Sequence, residues 1–458
     1  MVETALNRSA GAAVARRVAP RRGLPLGAWA MLAITLWGGV LWLGSRMFAM
    51  TPPSAGFDLE LILGAGRRVA QGIGPYDPSM LAGHAPTAED LFYSYPPPVA
   101  QAFSLVAGVP SGIALLGLAV VAVAGLALVT GTFARRLDPA RSVSSAIVPV
   151  LAVAPVVFPF AIAILFGNLD LVFPLLYGAM ALTVVLPVSR SRSPRVPRLA
   201  GFAGGASLAV AAIAKLHPVS LGAWFLVRGL HDRRVEQDAV PRTGDGPPRF
   251  PDAWRVLAAA IVVGVAIVGV SLLVGGVGPW QDYLVVVRAG SAADIVDRRN
   301  IGPAAQIAML LGGSESVARI LQVPVTLAAI AVTAWVAWTR RDAFESLAIA
   351  ATASLVILPV TWFHYPVALL PFAVAAWLRA RAARTTATVL RWLAVAGVIA
   401  ALAIILPVAL WLSVAAVLLA VHASGRDRVV AGTDPAVAGT DPVVAGTDRV
   451  ALARSTAG

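Results

Sequence analysis

Residues 111–133 read SGIALLGLAVVAVAGLALVTGTF, with no charged side chain anywhere in the run. About 20 apolar residues in a helix cross the ~30 Å hydrocarbon core of a bilayer, so the stretch is a membrane span. Comparable runs lie on both sides of it: Leu26–Met50, Val143–Phe166, Leu169–Pro187, Ala253–Val277, Val317–Trp338, Phe344–Val360, Pro366–Leu378, Val389–Leu406 and Val408–His422. Leu199–Val227 is interrupted near its middle by Lys215-Leu216-His217-Pro218, which predicts a hairpin of two short helices. The chain is therefore expected to be an all-α polytopic membrane protein of about 12 membrane segments.

Composition points the same way. Of 458 residues, 58% are apolar and 13% charged, against about 25% charged in an ordinary soluble domain. So few charges cannot coat a water-facing surface, which excludes a soluble enzyme and leaves no nucleic-acid partner expected. The net charge of +13 lies in arginine clusters between apolar runs, not on one basic face. The absence of Cys excludes disulfides and thiolate chemistry. Five His without ligand spacing and no Asp-x-Asp leave no metal site to expect.

Arginine sets the orientation. Clusters at Arg8–Arg22, Arg135/Arg136/Arg141, Arg190/Arg192/Arg195/Arg198, Arg228/Arg233/Arg234/Arg242/Arg249, Arg340/Arg341 and Arg379/Arg381/Arg384 are assigned to the cytoplasm of an inner (plasma) membrane. Residues 1–25 become a basic cytoplasmic tail. Residues 423–458, with Ala-Gly-Thr-Asp three times, become a disordered low-complexity cytoplasmic tail. Residues 51–110 form a first outer loop and 278–316 a second. Within the first, Asp58–Gln71 predicts a helix with Leu59, Ile62, Leu63 and Val69 near one face. Val99–Val109 predicts a surface-lying helix.

With this orientation the unusual polar residues share the outer side: Asp58, Asn168, Asp170, Lys215, His217, His364 and Tyr365. Ionisable groups at membrane depth are costly and mark functional sites. Each also has a structural explanation. Asp58 can cap a helix beginning at Leu59. Asn168 and Asp170 can satisfy a turn, Lys215 can snorkel, and His364 can anchor at the interface. Lys215 stands out because it is the sole lysine beside 35 arginines. Glu60 and Asp77 look mostly structural, and Tyr95 begins a rigid Tyr-Pro-Pro-Pro entry to a helix. Arg298 and Arg299 suit either a phosphate or a solvated loop face. No glycine-rich phosphate motif is present, and an outward site has no access to cytosolic nucleotides. A lipid-carried substrate is expected.

An early outer-loop Asp58 is followed by Gly72-Ile73-Gly74-Pro75-Tyr76-Asp77-Pro78, Tyr95-Pro96-Pro97, Gly167-Asn168, Lys215-x-x-Pro218 and His364-Tyr365-Pro366. In that order the set resembles glycosyltransferase family 87 over residues 26–420. The resemblance implies a GT-C membrane fold and makes 26–422 a membrane catalytic domain. It implies transfer of mannose from polyprenyl-phosphate-mannose to a glycolipid or lipoglycan acceptor of the phosphatidylinositol mannoside type, α-1,2 and inverting, with no cofactor. Related arabinofuranosyltransferases are the close alternative; His364-Tyr365-Pro366 leans towards the mannosyl branch. By resemblance Asp58 is the general base, with Glu60 its rival. Lys215, and Arg298 or Arg299, would meet the donor phosphate, and His364, the second catalytic residue, would hold the phosphate or an acceptor hydroxyl or assist Asp58. Asn168, Tyr95, His217 and Tyr365 would complete the substrate site. A transporter would show inverted repeats and midplane polar residues, and neither is evident.

Overall fold

The computed structural model describes residues 24–50, 55–82, 92–185, 195–238, 253–293, 295–382, 385–403 and 405–431. The expectations for residues 1–23 of the basic tail, Arg190, Arg192, Arg242, Arg249, Arg384 and the repeats after Ala431 lie outside the described residues. Among the described residues the structure is helical, with no strand and one isolated bridge, Asn300 to Trp362.

The first five α-helices are α1 (Leu26–Phe48), α2 (Phe57–Ala70), α3 (Pro78–Leu81), α4 (Pro97–Ser104) and α5 (Ser111–Leu137). They are followed by α6 (Ser144–Val153), α7 (Phe158–Phe166), α8 (Phe173–Val185), α9 (Arg195–Ala214), α10 (Ser220–Asp238) and α11 (Ala253–Gly275). The remainder are α12 (Gly278–Ala293), α13 (Pro303–Leu310), α14 (Glu315–Thr339), α15 (Ala343–Ser354), α16 (Leu370–Ala382), α17 (Thr386–Leu402) and α18 (Leu410–Ala431). Among the described residues, five helices are long and apolar enough to cross a membrane: Leu26–Met47, Ser111–Leu137, Ala253–Gly275, Glu315–Thr339 and Pro407–Gly425. A sixth span results if Ser144–Val156 and Phe158–Phe166 count as one. Leu169–Val185, Leu199–Ala214 and Thr386–Leu402 are apolar but shorter.

Several expected spans depart from straight helices, each for a local reason. Val143–Phe166 is a pair bent by 71°, where Pro155 and Pro159 remove backbone donors and clash with the preceding turn. Phe344–Val360 stops being helical at Ser354. Its unwound carbonyls are met instead by Gln322 Nε2, 2.9 Å from Val356 O and 3.0 Å from Ile357 O, and by the Thr326 hydroxyl at 3.0 Å. Irregular backbone at membrane depth survives only when such partners exist. The segment expected as the second outer loop holds α12 and α13. The last helix continues to Ala431, past the expected boundary at 422.

The main core gathers Phe133, Phe173, Tyr177, Trp224, Phe344 and Phe372 from α5, α8, α10, α15 and α16. Trp224 donates its indole N–H to Ser346 Oγ at 2.8 Å, so a buried aromatic finds its polar partner. Leu59, Ile62 and Leu63 bury one face of α2, and Val99 and Ala100 on α4 belong to a second cluster with Ile62 and Tyr76. Lys215 occupies the break between α9 and the 3-10 turn His217–Val219. The first turn of α2, the start of α8, this break and the unwound stretch after α15 come together, and the site forms among them.

Candidate active site

The backbone first brings α2 onto the end of α7. Gly56 N–H donates to Leu165 O at 2.7 Å. Gly167 then leaves α7 with a left-handed φ of 69°, and a Cβ there would stand 2.7 Å from Leu59 Cβ. Only glycine permits both that conformation and that approach. The next residue is thereby placed against the first turn of α2. Asn168 Nδ2 donates to Asp58 Oδ2 at 2.6 Å, and Asn168 Oδ1 accepts the N–H of Asp170 at 2.9 Å. The second bond fixes which end of the amide faces Asp58. Asp58 is not the helix cap: α2 begins at Phe57, and Gly56 is its N-cap.

Asp170 sits at the centre of a buried charge cluster. It is 2% exposed, with Lys215 Nζ 2.8 Å from Oδ1 and His364 Nε2 3.3 Å from Oδ2. Lys215 also lies over the Tyr365 ring, 3.9 Å from its centroid, and 6.0 Å from that of Tyr95. The lone lysine is buried and ion-paired, not snorkelling. His364 Nδ1 has no hydrogen-bond partner among the described residues.

Asp58, Asn168, Lys215, His364, Tyr365 and Tyr95 line one cavity of about 330 Å³. Phe57, Leu61, Phe166 and Phe363 supply apolar wall. Burial pushes the Asp58 carboxyl up from 3.8 to about 6, while the Asn168 hydrogen bond and the Lys215 charge pull it back. A carboxylate so placed is a proton acceptor near neutral pH.

The other expected residues divide. Arg299 lines the cavity; its guanidinium pairs with Asp297 at 2.6 Å and lies 5.5 Å from the Trp362 ring. Arg298 is exposed and does not line it. Glu60 is also exposed, ion-paired with Arg67 and hydrogen-bonded by the Ser111 hydroxyl, and it too is absent from the lining. His217 lies beneath the floor, stacked between Phe173 and Tyr365 at centroid distances of 5.7 and 5.5 Å.

Two residues have roles here that the sequence did not assign. Asp170 stands in the sequence among the outer polar residues, with a turn as its structural explanation and no part in the substrate site. Asn300 was not singled out at all. Its buried side chain donates to Ile295 O at 3.1 Å and Pro359 O at 2.9 Å, and accepts from Gly302 N at 2.9 Å and Thr361 N at 2.8 Å. It clasps the Arg299 segment to the unwound stretch leading to His364. The unusual lysine signalled a needed counter-charge, and Asp170 supplies it; nothing in the sequence marked Asn300.

Neither a curated protein nor a solved structure matches the chain. A family model does, over residues 93–359, more than half of the chain. The match takes in Asn168, Asp170, Lys215 and Asn300 and leaves Asp58 and His364 outside. A cavity with a carboxylate, an ammonium and aromatic walls among apolar helices suits sugar transfer, and the chain belongs to glycosyltransferase family 87, a family of sugar-transferring enzymes.

Proposed function

We propose that this glycosyltransferase moves mannose from polyprenyl-phosphate-mannose to a lipid-linked mannoside, forming an α-1,2 linkage with inversion on the outer face of the plasma membrane. The supporting observation is that Asp58, Asn168, Lys215 and His364 line the same cavity beside apolar wall. The acceptor hydroxyl gives its proton to Asp58 as its oxygen bonds to the anomeric carbon. The bond from that carbon to the phosphate oxygen breaks, and its electron pair leaves with the phosphate. Lys215 meets that phosphate, Arg299 also lines the cavity, and His364 steadies the donor or the acceptor hydroxyl. The polytopic GT-C arrangement of about 12 segments, with both termini inside, is the frame that this reading requires.

Purified full-length protein with labelled polyprenyl-phosphate-mannose and a phosphatidylinositol mannoside acceptor tests the proposal. Transfer of mannose supports it. Transfer only from the arabinose analogue moves the assignment to the arabinosyl branch, and movement of intact substrate across a bilayer without transfer refutes it. Lys215→Met should raise the donor KM by about tenfold or more.

A further inference from the structure

Asp170 does not line the cavity, yet the charged and polar groups of its floor converge on it. One oxygen holds the Lys215 ammonium at 2.8 Å and the other faces His364 at 3.3 Å. Its own backbone N–H is fixed by Asn168, the residue that also holds Asp58. An ammonium 9% exposed needs a partner in so dry a place. The question is what that partner does for a site that handles phosphates.

We propose that Asp170 is a positioning residue, the built-in counter-ion of Lys215, and that it sets how tightly the cavity holds a lipid phosphate before and after transfer. The inference rests on the lipid-phosphate donor described above. That donor is a phosphodiester with one negative charge. Transfer converts it to a monoester: the anomeric carbon–oxygen bond breaks with its electron pair on the phosphate, and the acceptor proton goes to Asp58. The released monoester carries about −1.5 to −2 charges at neutral pH. A bare ammonium attracts a dianion about twice as strongly as a monoanion at equal distance, so it would grip product harder than substrate. Asp170 cancels that net attraction without removing the donors. One side of Nζ meets the carboxylate and another the Tyr365 ring. An ammonium has three N–H groups, which leaves a donor for a phosphate oxygen. The pair is a directed hydrogen-bond donor with little net charge, and that lets the spent lipid phosphate leave.

The test uses full-length protein in detergent, a short-chain isoprenyl monophosphate as the binding probe and the matching isoprenyl-phosphate-mannose as donor. Asp170→Asn should tighten binding of the monophosphate by about tenfold or more, read both as product inhibition and as ligand-induced thermal shift. Its kcat should fall while the donor KM does not rise. The double variant Asp170→Asn/Lys215→Met should bind the monophosphate no better than Lys215→Met alone. A purely structural role would lower the active fraction and leave monophosphate affinity unchanged. Unchanged or weaker affinity in folded Asp170→Asn overturns the proposal. Asp170→Ser, which leaves room for water beside the ammonium, carries the same expectation if the Asn variant does not fold. If the wild type binds the monophosphate but transfers no sugar, the proposed reaction fails, and the affinity comparison still decides the role of Asp170.

Discussion

Asn168 Nδ2 and Asp58 Oδ2 stand 2.6 Å apart although 110 residues separate them in the chain. The bond sets the working range of the proposed base. Burial raises the Asp58 carboxyl to about 6 and Asn168 opposes that rise. Transfer should therefore climb with pH, by about tenfold per unit below the midpoint, and level off above it. In Asn168→Ala the midpoint should move upward. The fold, by contrast, favours the protonated form: this stabilisation is full below the ordinary value of 3.8 and is lost as pH rises through about 6. Profiles of kcat/KM against pH for both proteins check this; a midpoint that moves down in the variant contradicts it.

Gly167→Ala should strain the approach that makes the bond. The added methyl meets Leu59 Cβ at 2.7 Å and must adopt a φ of 69°. A loss of about 1–3 kcal/mol of stability is expected, with transfer reduced more than the thermal shift alone would explain. Thermal unfolding in detergent and single-turnover transfer separate the two effects. Wild-type behaviour in both would show that α2 can shift freely against α7.

Asp58→Asn should abolish transfer in protein that still inserts and unfolds at near-wild-type temperature, whereas Glu60→Gln should keep turnover within a few-fold. Glu60 is engaged by Arg67 and Ser111 on an exposed face, so its removal breaks no contact in the cavity. The reverse pattern of turnover would transfer the role of base to Glu60.

Much of the fold was legible because lipid imposes a simple rule on sequence: long apolar runs such as Ser111–Phe133 have one physical solution. Where runs carried Pro155, Pro159 or Pro359 the rule blurred, since a broken helix needs partners, here Gln322 and Thr326, that lie far along the chain. The ordered polar motifs gave Asp58, Asn168, Lys215 and His364, which do share one cavity. Their pairing was not legible. Asp170 and Lys215 meet only because α8 and the α9 break pack together, and a turn carboxylate looks the same in sequence as an ion-paired one. Glu60 and Asp58, two residues apart, differ by the face of α2 they occupy, and that face is assigned by the packing of α4 and α7.

Asn300→Ala should lower stability and transfer together. It leaves the buried carbonyl of Ile295, the half-buried carbonyl of Pro359 and the buried N–H groups of Gly302 and Thr361 without their Asn300 partner, each fully buried group worth about 1–3 kcal/mol. Asn300→Asp keeps the acceptor and loses the donors, so it should fall between the two. Thermal unfolding and the donor KM are the readouts. An alanine variant indistinguishable from wild type would mean that the segment carrying Arg299 is held by other contacts.

The Asn300 clasp also turns two stretches of chain into one mechanical part. Arg299 and Trp362 are coupled, because the backbone of Ile295 and Gly302 around the first and of Pro359 and Thr361 just before the second is tied to a single amide, and Trp411 adds a strut to Ile301 at 2.6 Å. That rim of the cavity behaves as a stiff lip rooted next to His364. The lipid of the proposed donor, sliding past, would push on the lip as a whole, and the push would arrive at the imidazole as leverage.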